Sequence, residues 1–166
     1  MDEFRAWQKA SNGLLNKIAL APERNGVEEF VRTITDEGVT VALGHSDATF
    51  DQAKAAVEAG ASVWVHAYNG MRGLTHRELG MVGAMYELPH TYAELICDGH
   101  HVDPKACDIL IKQKGHENIA LITDCMTAGG LEDGDYMLGE FPVVVADGTA
   151  GLKSTGNLAG SILKLK

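Results

Sequence analysis

Four apolar runs of this 166-residue chain each end in a residue type that can ligate a metal or move a proton. Residues 40–43 (TVAL) run into Gly44-His45-Ser46-Asp47, and residues 62–66 (SVWVH) end on His66, followed by Ala67-Tyr68-Asn69-Gly70. Residues 92–97 (YAELIC) run into Asp98-Gly99-His100-His101, and residues 118–123 (NIALIT) into Asp124. Neutral imidazole is the commonest protein ligand for zinc and similar ions, and hydrolytic sites of that kind use three protein ligands and a water. His45 and His66 fall at matching ends of neighbouring runs, a register that lets both side chains converge on one ion. Asp124 is then the proton carrier. A metal brings the pKa of its bound water to about 7, and a nearby carboxylate can take that proton and pass it to a leaving group. The competing reading makes both histidines core residues bonded to backbone.

Elements of one kind are needed to bring these residues together. The four runs and an earlier one, residues 17–21 (KIALA), start roughly 22 to 30 residues apart, room for a strand, a loop, a helix and a return. Short β-rich runs alternating with helical patterns are the mark of βα units around a parallel sheet, whose catalytic groups come from the C-terminal ends of the strands. The intervening helices carry start and stop signals. Val27, Phe30, Val31 and Ile34 form an apolar stripe closed by Gly38, and Asp47 or Thr49 caps a stripe of Ala53, Ala56 and Val57 that stops at Gly60. Asp103-Pro104 opens a third helix that ends before Gly115. From Gly129 the period changes, and residues 136–138, 141–146 and 150–152 read as short strands separated by glycines, an antiparallel addition to the βα array.

Composition bounds the functions. A chain with 45% hydrophobic and 22% charged residues reads as an ordinary soluble globular domain. A net charge of −9 argues against nucleic-acid and anionic-membrane surfaces, which need a basic footprint. No apolar stretch approaches the roughly 18 residues of a membrane span, and the Met1-Asp2-Glu3 start lacks the basic and apolar regions of a secretory signal. Cys97, Cys107 and Cys125, an odd number with no CxxC pair, read as reduced thiols of a cytoplasmic protein.

The polar blocks, taken together, resemble a known family. Gly44-His45-Ser46-Asp47-Ala48-Thr49, His66-Ala67-Tyr68-Asn69-Gly70-Met71, His76-Arg77-Glu78-Leu79-Gly80, Asp98-Gly99-His100-His101-Val102-Asp103, Thr123-Asp124 and Leu158-Ala159-Gly160-Ser161 are similar to motifs of the N-acetylglucosamine-6-phosphate deacetylases, members of the amidohydrolase superfamily. The resemblance implies metal-dependent hydrolysis of the acetamide of N-acetylglucosamine 6-phosphate, giving glucosamine 6-phosphate and acetate. It implies that His45 and His66 bind a divalent metal, zinc or iron, and that Asp124 is the catalytic acid and base. Asn69, Gly70, Arg77, Asp98, Gly99, His100, His101, Leu158, Ala159 and Gly160 match positions that contact the substrate. Arg77 offers a planar fork suited to phosphate and His101 a second donor. In the family part of the phosphate site is completed across a dimer interface, so a homo-oligomer, or completion by another chain, is expected.

The family fold is a (β/α)8 TIM barrel, which takes about 250 residues. Five strand candidates therefore imply a partial barrel, roughly its fourth to eighth strands, in the C-terminal part of the barrel and followed by short β-strands of a small sandwich. On this expectation the chain is a fragment, with residues 1–128 the partial hydrolase barrel and residues 129–166 the β-strand tail. The alternative to an active enzyme is an inactive truncated half-barrel that retains sugar-phosphate binding or an assembly role. Glu23 reads as structural rather than as a third ligand, Cys125 as a small core residue, and His76, His90 and His116 as surface residues.

Overall fold

The computed structural model describes residues 1–164, so the last two residues expected in the β tail, Leu165 and Lys166, lie outside the described residues. Five α-helices and five short strands alternate: α1 (Asp2–Ala10), β1 (Lys17–Leu20), α2 (Val27–Asp36), β2 (Thr40–Leu43), α3 (Phe50–Glu58), β3 (Val63–Trp64), α4 (Gly80–Glu87), β4 (Tyr92–Ile96), α5 (Pro104–Lys114) and β5 (Ile119–Ile122). A second group follows, β6 (Gly134–Leu138), β7 (Phe141–Ala146) and β8 (Thr149–Leu152). The first sheet has the order β1-β2-β3-β4-β5, and its first four strands pair in parallel, with Leu20 opposite Leu43 and Leu43 opposite Trp64.

That topology corrects the expectation of a partial barrel. The chain forms its own alternating α/β unit in which each strand bonds to the strand next in sequence, so the ladder is continuous through all five. Counting strands against an eight-strand template missed this, because spacing reports how many βα units a segment holds and not which strands pair.

The chain divides into two compact units: residues 1–94 with 110–120, and residues 95–109 with 121 onward. In the first unit β2 is the most buried strand, with Val41, Ala42 and Leu43 fully enclosed, as suits an apolar run covered on both faces. Val27, Val31 and Ile34 are the buried stripe of α2, and Thr49 with Gln52 forms a complete capping box at the start of α3. Trp64, also enclosed, donates from Nε1 to Thr91 Oγ1 at 2.9 Å. The β3 ladder is shorter than its sequence run, two residues against the five of 62–66, because His66 (φ 30°) and Tyr68 (φ 73°) turn the backbone into the left-handed region. Two helices gave no readable signal. The α1 helix buries only Phe4, and α4 (GMVGAMYE) is buried nearly all round and so shows no polar face.

In the second unit Asp103 caps α5, accepting from Lys105 N at 2.7 Å. The β6-β7-β8 sheet is an antiparallel meander, and its second hairpin turns on Asp147-Gly148, both at positive φ as a two-residue primed turn requires. Met126, Ala128, Val143, Val145, Ala150 and Ala159 make its core, with Tyr136, Leu152 and Ile162 packed against them.

Candidate functional site

The first unit brings His45 and His66 together. Their Nε2 atoms lie 2.8 Å apart and their rings are perpendicular, with centroids 4.5 Å apart. His66 is buried (5% exposed) and its Nδ1 has no hydrogen-bond partner among the described residues, whereas His45 is exposed. Two imidazole nitrogens brought this close fit two ligand positions of a divalent ion. Among the described residues no group of three or more His, Cys, Asp or Glu side chains gathers to complete a ligand set.

The loops after β1, β2 and β3 are tied together beside this pair. Ser46 Oγ donates to Glu23 Oε2 at 2.6 Å and accepts from Ala48 N at 3.0 Å, and Asp47 N donates to Glu23 Oε1 at 3.2 Å. Burial works to raise the Glu23 pKa, but the Ser46 hydroxyl and the nearby backbone N–H groups outweigh it and hold the carboxyl below its usual range. Ser46 N donates to Gly70 O and Arg72 N to Ser46 O, at 2.8 and 2.9 Å. A cavity of about 480 Å³ is lined by Glu23, His45, Ser46, Asp47, Gly70, Met71 and Arg72.

The expected sugar and phosphate residues of this unit fall nearby in the chain but differ in setting. Asn69 spends its amide N–H groups on the carbonyls of His66 and Ala67, at 3.3 and 3.2 Å. Gly70 stands close to the His45 ring: an added Cβ would lie 3.3 Å from His45 Nδ1. Arg77 is exposed. Arg72, which sequence reasoning passed over, is the engaged guanidinium, donating to Asp47 O at 3.2 Å and pairing with Glu78 at 3.5 Å. Glu78 in turn accepts from Gly80 N and Phe50 N, and those two bonds hold its carboxyl below the ordinary range.

In the second unit Asp98 organises its own loop. Oδ1 accepts from His100 N and His101 N, each at 2.8 Å, and Oδ2 meets His101 Nδ1 at 2.7 Å. Burial alone would raise the Asp98 pKa, but the N–H groups of His101 and His100 and the His101 ring together lower it. The carboxylate therefore favours a His101 that carries a proton on Nδ1, and in the imidazolium form Nε2–H is a donor as well. Gly99 and His100 are exposed.

The same unit lays Leu158–Gly160 beside Asp124. Ser161 N donates to Asp124 O and Met126 N to Ser161 O, both at 2.9 Å, while Ser161 Oγ bonds Thr123 O. A Cβ on Gly160 would stand 3.3 Å from Asp124 O, so the segment approaches as closely as glycine allows. Ala159 is buried, Leu158 and Asp124 exposed. Cys125 is exposed rather than a core residue, because the left-handed turn at Asp124 sends the core position to Met126.

One feature that sequence reasoning missed is shared by three residues. His45 (φ 48°), His66 (φ 30°) and Asp124 (φ 48°) all hold left-handed backbone, uncommon for non-glycine residues although Asn, Asp and His enter it more readily than others, and found here also at Asn12, Tyr68, His90 and Asp147. Such residues cost about 1–3 kcal/mol each and cluster at functional sites. Nothing in their residue types announces it; the only hint is their place directly after β-rich runs.

No family model matches the sequence. Solved structures define the class first. The chain is similar to α/β deacetylases of phosphorylated amino sugars: a variant from Mycobacterium smegmatis, in complex with N-acetyl-D-glucosamine-6-phosphate, matches with a TM-score of 0.94 and 36% identity over 98% of this chain and 42% of that one. N-acetylglucosamine-6-phosphate deacetylase from Pasteurella multocida matches with a TM-score of 0.89 and 31% identity, again over 98% of this chain and 42% of that one. Sequence relatives then narrow the likeness. The chain is 47% identical over 165 residues to N-acetylglucosamine-6-phosphate deacetylase of Vibrio furnissii, covering 99% of this chain and 41% of the relative. It is 46% identical over 155 residues to N-acetylgalactosamine-6-phosphate deacetylase of Escherichia coli O157:H7.

The likeness runs over 98–99% of this chain, and on that coverage neither the description as a fragment nor the restriction of the resemblance to the C-terminal part of a barrel is carried further. The chain spans about two-fifths of the length of the curated relatives it matches. No helix among the described residues is long and apolar enough to cross a membrane.

Proposed function

We propose that this chain carries out metal-dependent hydrolysis of the acetamide of N-acetylglucosamine 6-phosphate, releasing acetate and glucosamine 6-phosphate. The observation that carries the reading is the meeting of His45 and His66 through Nε2 at 2.8 Å, in a chain 47% identical to a deacetylase of that substrate. His45 and His66 would hold a divalent ion, zinc or iron, both of which imidazole suits. When bound, the ion supplies an activated water and polarises the acetamide carbonyl. Asp124 would be the acid and base, accepting a proton from the attacking water and passing it to the departing amine. Asn69, Gly70 and Arg77, Asp98, Gly99, His100 and His101, and Leu158, Ala159 and Gly160 bind and orient the sugar phosphate. The Asp98 carboxylate orients the His101 ring for the phosphate, and the exposed Arg77 serves a neighbouring copy in a homo-oligomer. The reading divides the chain into a hydrolase portion, residues 1–128, and a β-strand tail, residues 129–166. Three free cysteines accord with a cytoplasmic location.

A second reading has its own support. The 46% identity to the E. coli N-acetylgalactosamine-6-phosphate deacetylase nearly equals that to the Vibrio protein, so the C4 epimer is a substrate to compare. Acetate release from both sugars by the purified chain, with and without zinc, tests the proposal. Zinc-dependent release that vanishes in Asp124→Asn is the expected result. A folded, zinc-loaded chain that releases no acetate from either sugar overturns it.

A further inference from the structure

We infer that Glu23 and Ser46 are positioning residues that set the His45 imidazole for metal binding, an inference that rests on the reading of His45 as a ligand. His45 is exposed, and its one side-chain hydrogen bond among the described residues is the Nε2 contact with His66. Its ring placement therefore depends on a backbone that stands at φ 48°, a conformation the residue does not favour by itself. The residue that follows supplies the restraint. Ser46 is 5% exposed, and its backbone N–H, carbonyl and hydroxyl are all bonded: to Gly70 O, from Arg72 N, to Glu23 Oε2 and from Ala48 N. Glu23 closes the arrangement by accepting from Asp47 N with its other oxygen.

The peptide on the C-terminal side of His45 is thus pinned to the loops after β1 and β3, the second of which follows His66 itself. Groups that orient metal ligands without touching the ion typically change affinity about 10- to 100-fold when removed. Glu23 and Ser46 act one peptide away from the ligand, so the lower figure is the one to expect. A clip that merely held the loop would affect folding and leave the ion's affinity alone.

The test is Co2+ titration of the full chain, followed by its visible absorption, with urea unfolding measured in parallel. Glu23→Gln and Ser46→Ala are each expected to lower Co2+ affinity about tenfold, and the double variant no further than either alone, as two ends of one link require. Glu78→Gln, which breaks a comparable carboxylate clip to Phe50 N and Gly80 N that bonds neither His45 nor Ser46, is expected to leave Co2+ affinity unchanged. If the parent chain binds Co2+ and His45→Ala abolishes it, yet Glu23→Gln and Ser46→Ala bind as the parent does, the inference is overturned while the metal reading stands. Equal losses in Glu78→Gln, additive losses in the double variant, or variants that fail to fold overturn it too, since the link would then hold the fold and not the imidazole. A parent chain that takes up no Co2+ removes the metal reading and this inference with it.

Discussion

His66 Nε2 lies 2.8 Å from His45 Nε2 although the first imidazole is buried and the second exposed. The pair thus spans the boundary between core and solvent, and its two members differ in what else they support. Replacing either with alanine should lower zinc affinity about 100-fold or more, read by calorimetric titration, because one imidazole alone holds zinc weakly. Stability should separate them. His66→Ala opens a cavity and is expected to lose about 2 kcal/mol in urea unfolding, and His45→Ala less than about 0.5. Full zinc uptake by either variant would contradict the pairing.

The Asp98 carboxylate accepts from three donors, and Asp98→Asn should destabilise by about 1–3 kcal/mol at pH 7. Its lowered pKa sets the direction of the pH dependence. The contribution is complete above the ordinary carboxyl value of 3.8 and is lost as pH falls through the lower folded-state value. Urea midpoints followed down to about pH 2.5 should therefore fall more steeply below pH 4 in the parent chain than in Asp98→Asn. Parallel curves would mean that the carboxylate contributes nothing specific.

Burial, aided by the neighbouring Cys97 thiol, pushes the Cys107 thiol up to about 11. In the native chain at pH 8, iodoacetamide should label Cys107 about 100-fold more slowly than an ordinary exposed thiol, since only the thiolate reacts. Cys97 and Cys125 are exposed and should be labelled first. Peptide mass spectrometry over time gives the order. Labelling of Cys107 as fast as the other two would show that the α5 face opens readily.

Two glycines should resist even alanine. Gly70 (φ 58°) would set a Cβ 3.3 Å from His45 Nδ1, and Gly160 (φ 68°) one 3.3 Å from the Asp124 carbonyl. Each substitution should lose about 1–2 kcal/mol from the left-handed backbone alone. Gly70→Ala should in addition weaken zinc binding by displacing the ring, whereas Gly160→Ala should not. Urea unfolding paired with zinc titration separates the two effects, and zinc affinity untouched in Gly70→Ala would refute the displacement.

What could be read from the sequence followed how local its cause was. The runs beginning at Lys17, Thr40, Tyr92 and Phe141 form strands where β-branched and apolar residues gather between glycines and polar turns, and Asp103-Pro104 does begin α5. The convergence of His45 and His66 was legible because both stand directly after neighbouring strands. The α4 helix was not, since a segment buried on all sides has no amphipathic period to detect. The Glu23–Ser46 clip joins residues 23 apart through one hydroxyl, and no spacing rule marks such a pair. The left-handed backbone at His45, His66 and Asp124 is likewise imposed by surrounding bonds and leaves no compositional trace.

That backbone geometry has an evolutionary corollary. At His45 and His66 the side chain proposed for the chemistry stands on left-handed backbone that glycine and asparagine accept more readily, so robustness and usefulness pull these sites in opposite directions. A library varied at the exposed His45 and sorted only for resistance to heat should drift toward glycine and asparagine. Retention of histidine under that sorting would show that its surroundings relieve the strain. A lineage released from the need to act on its substrate would be expected to lose these residues early and to become sturdier as it did so.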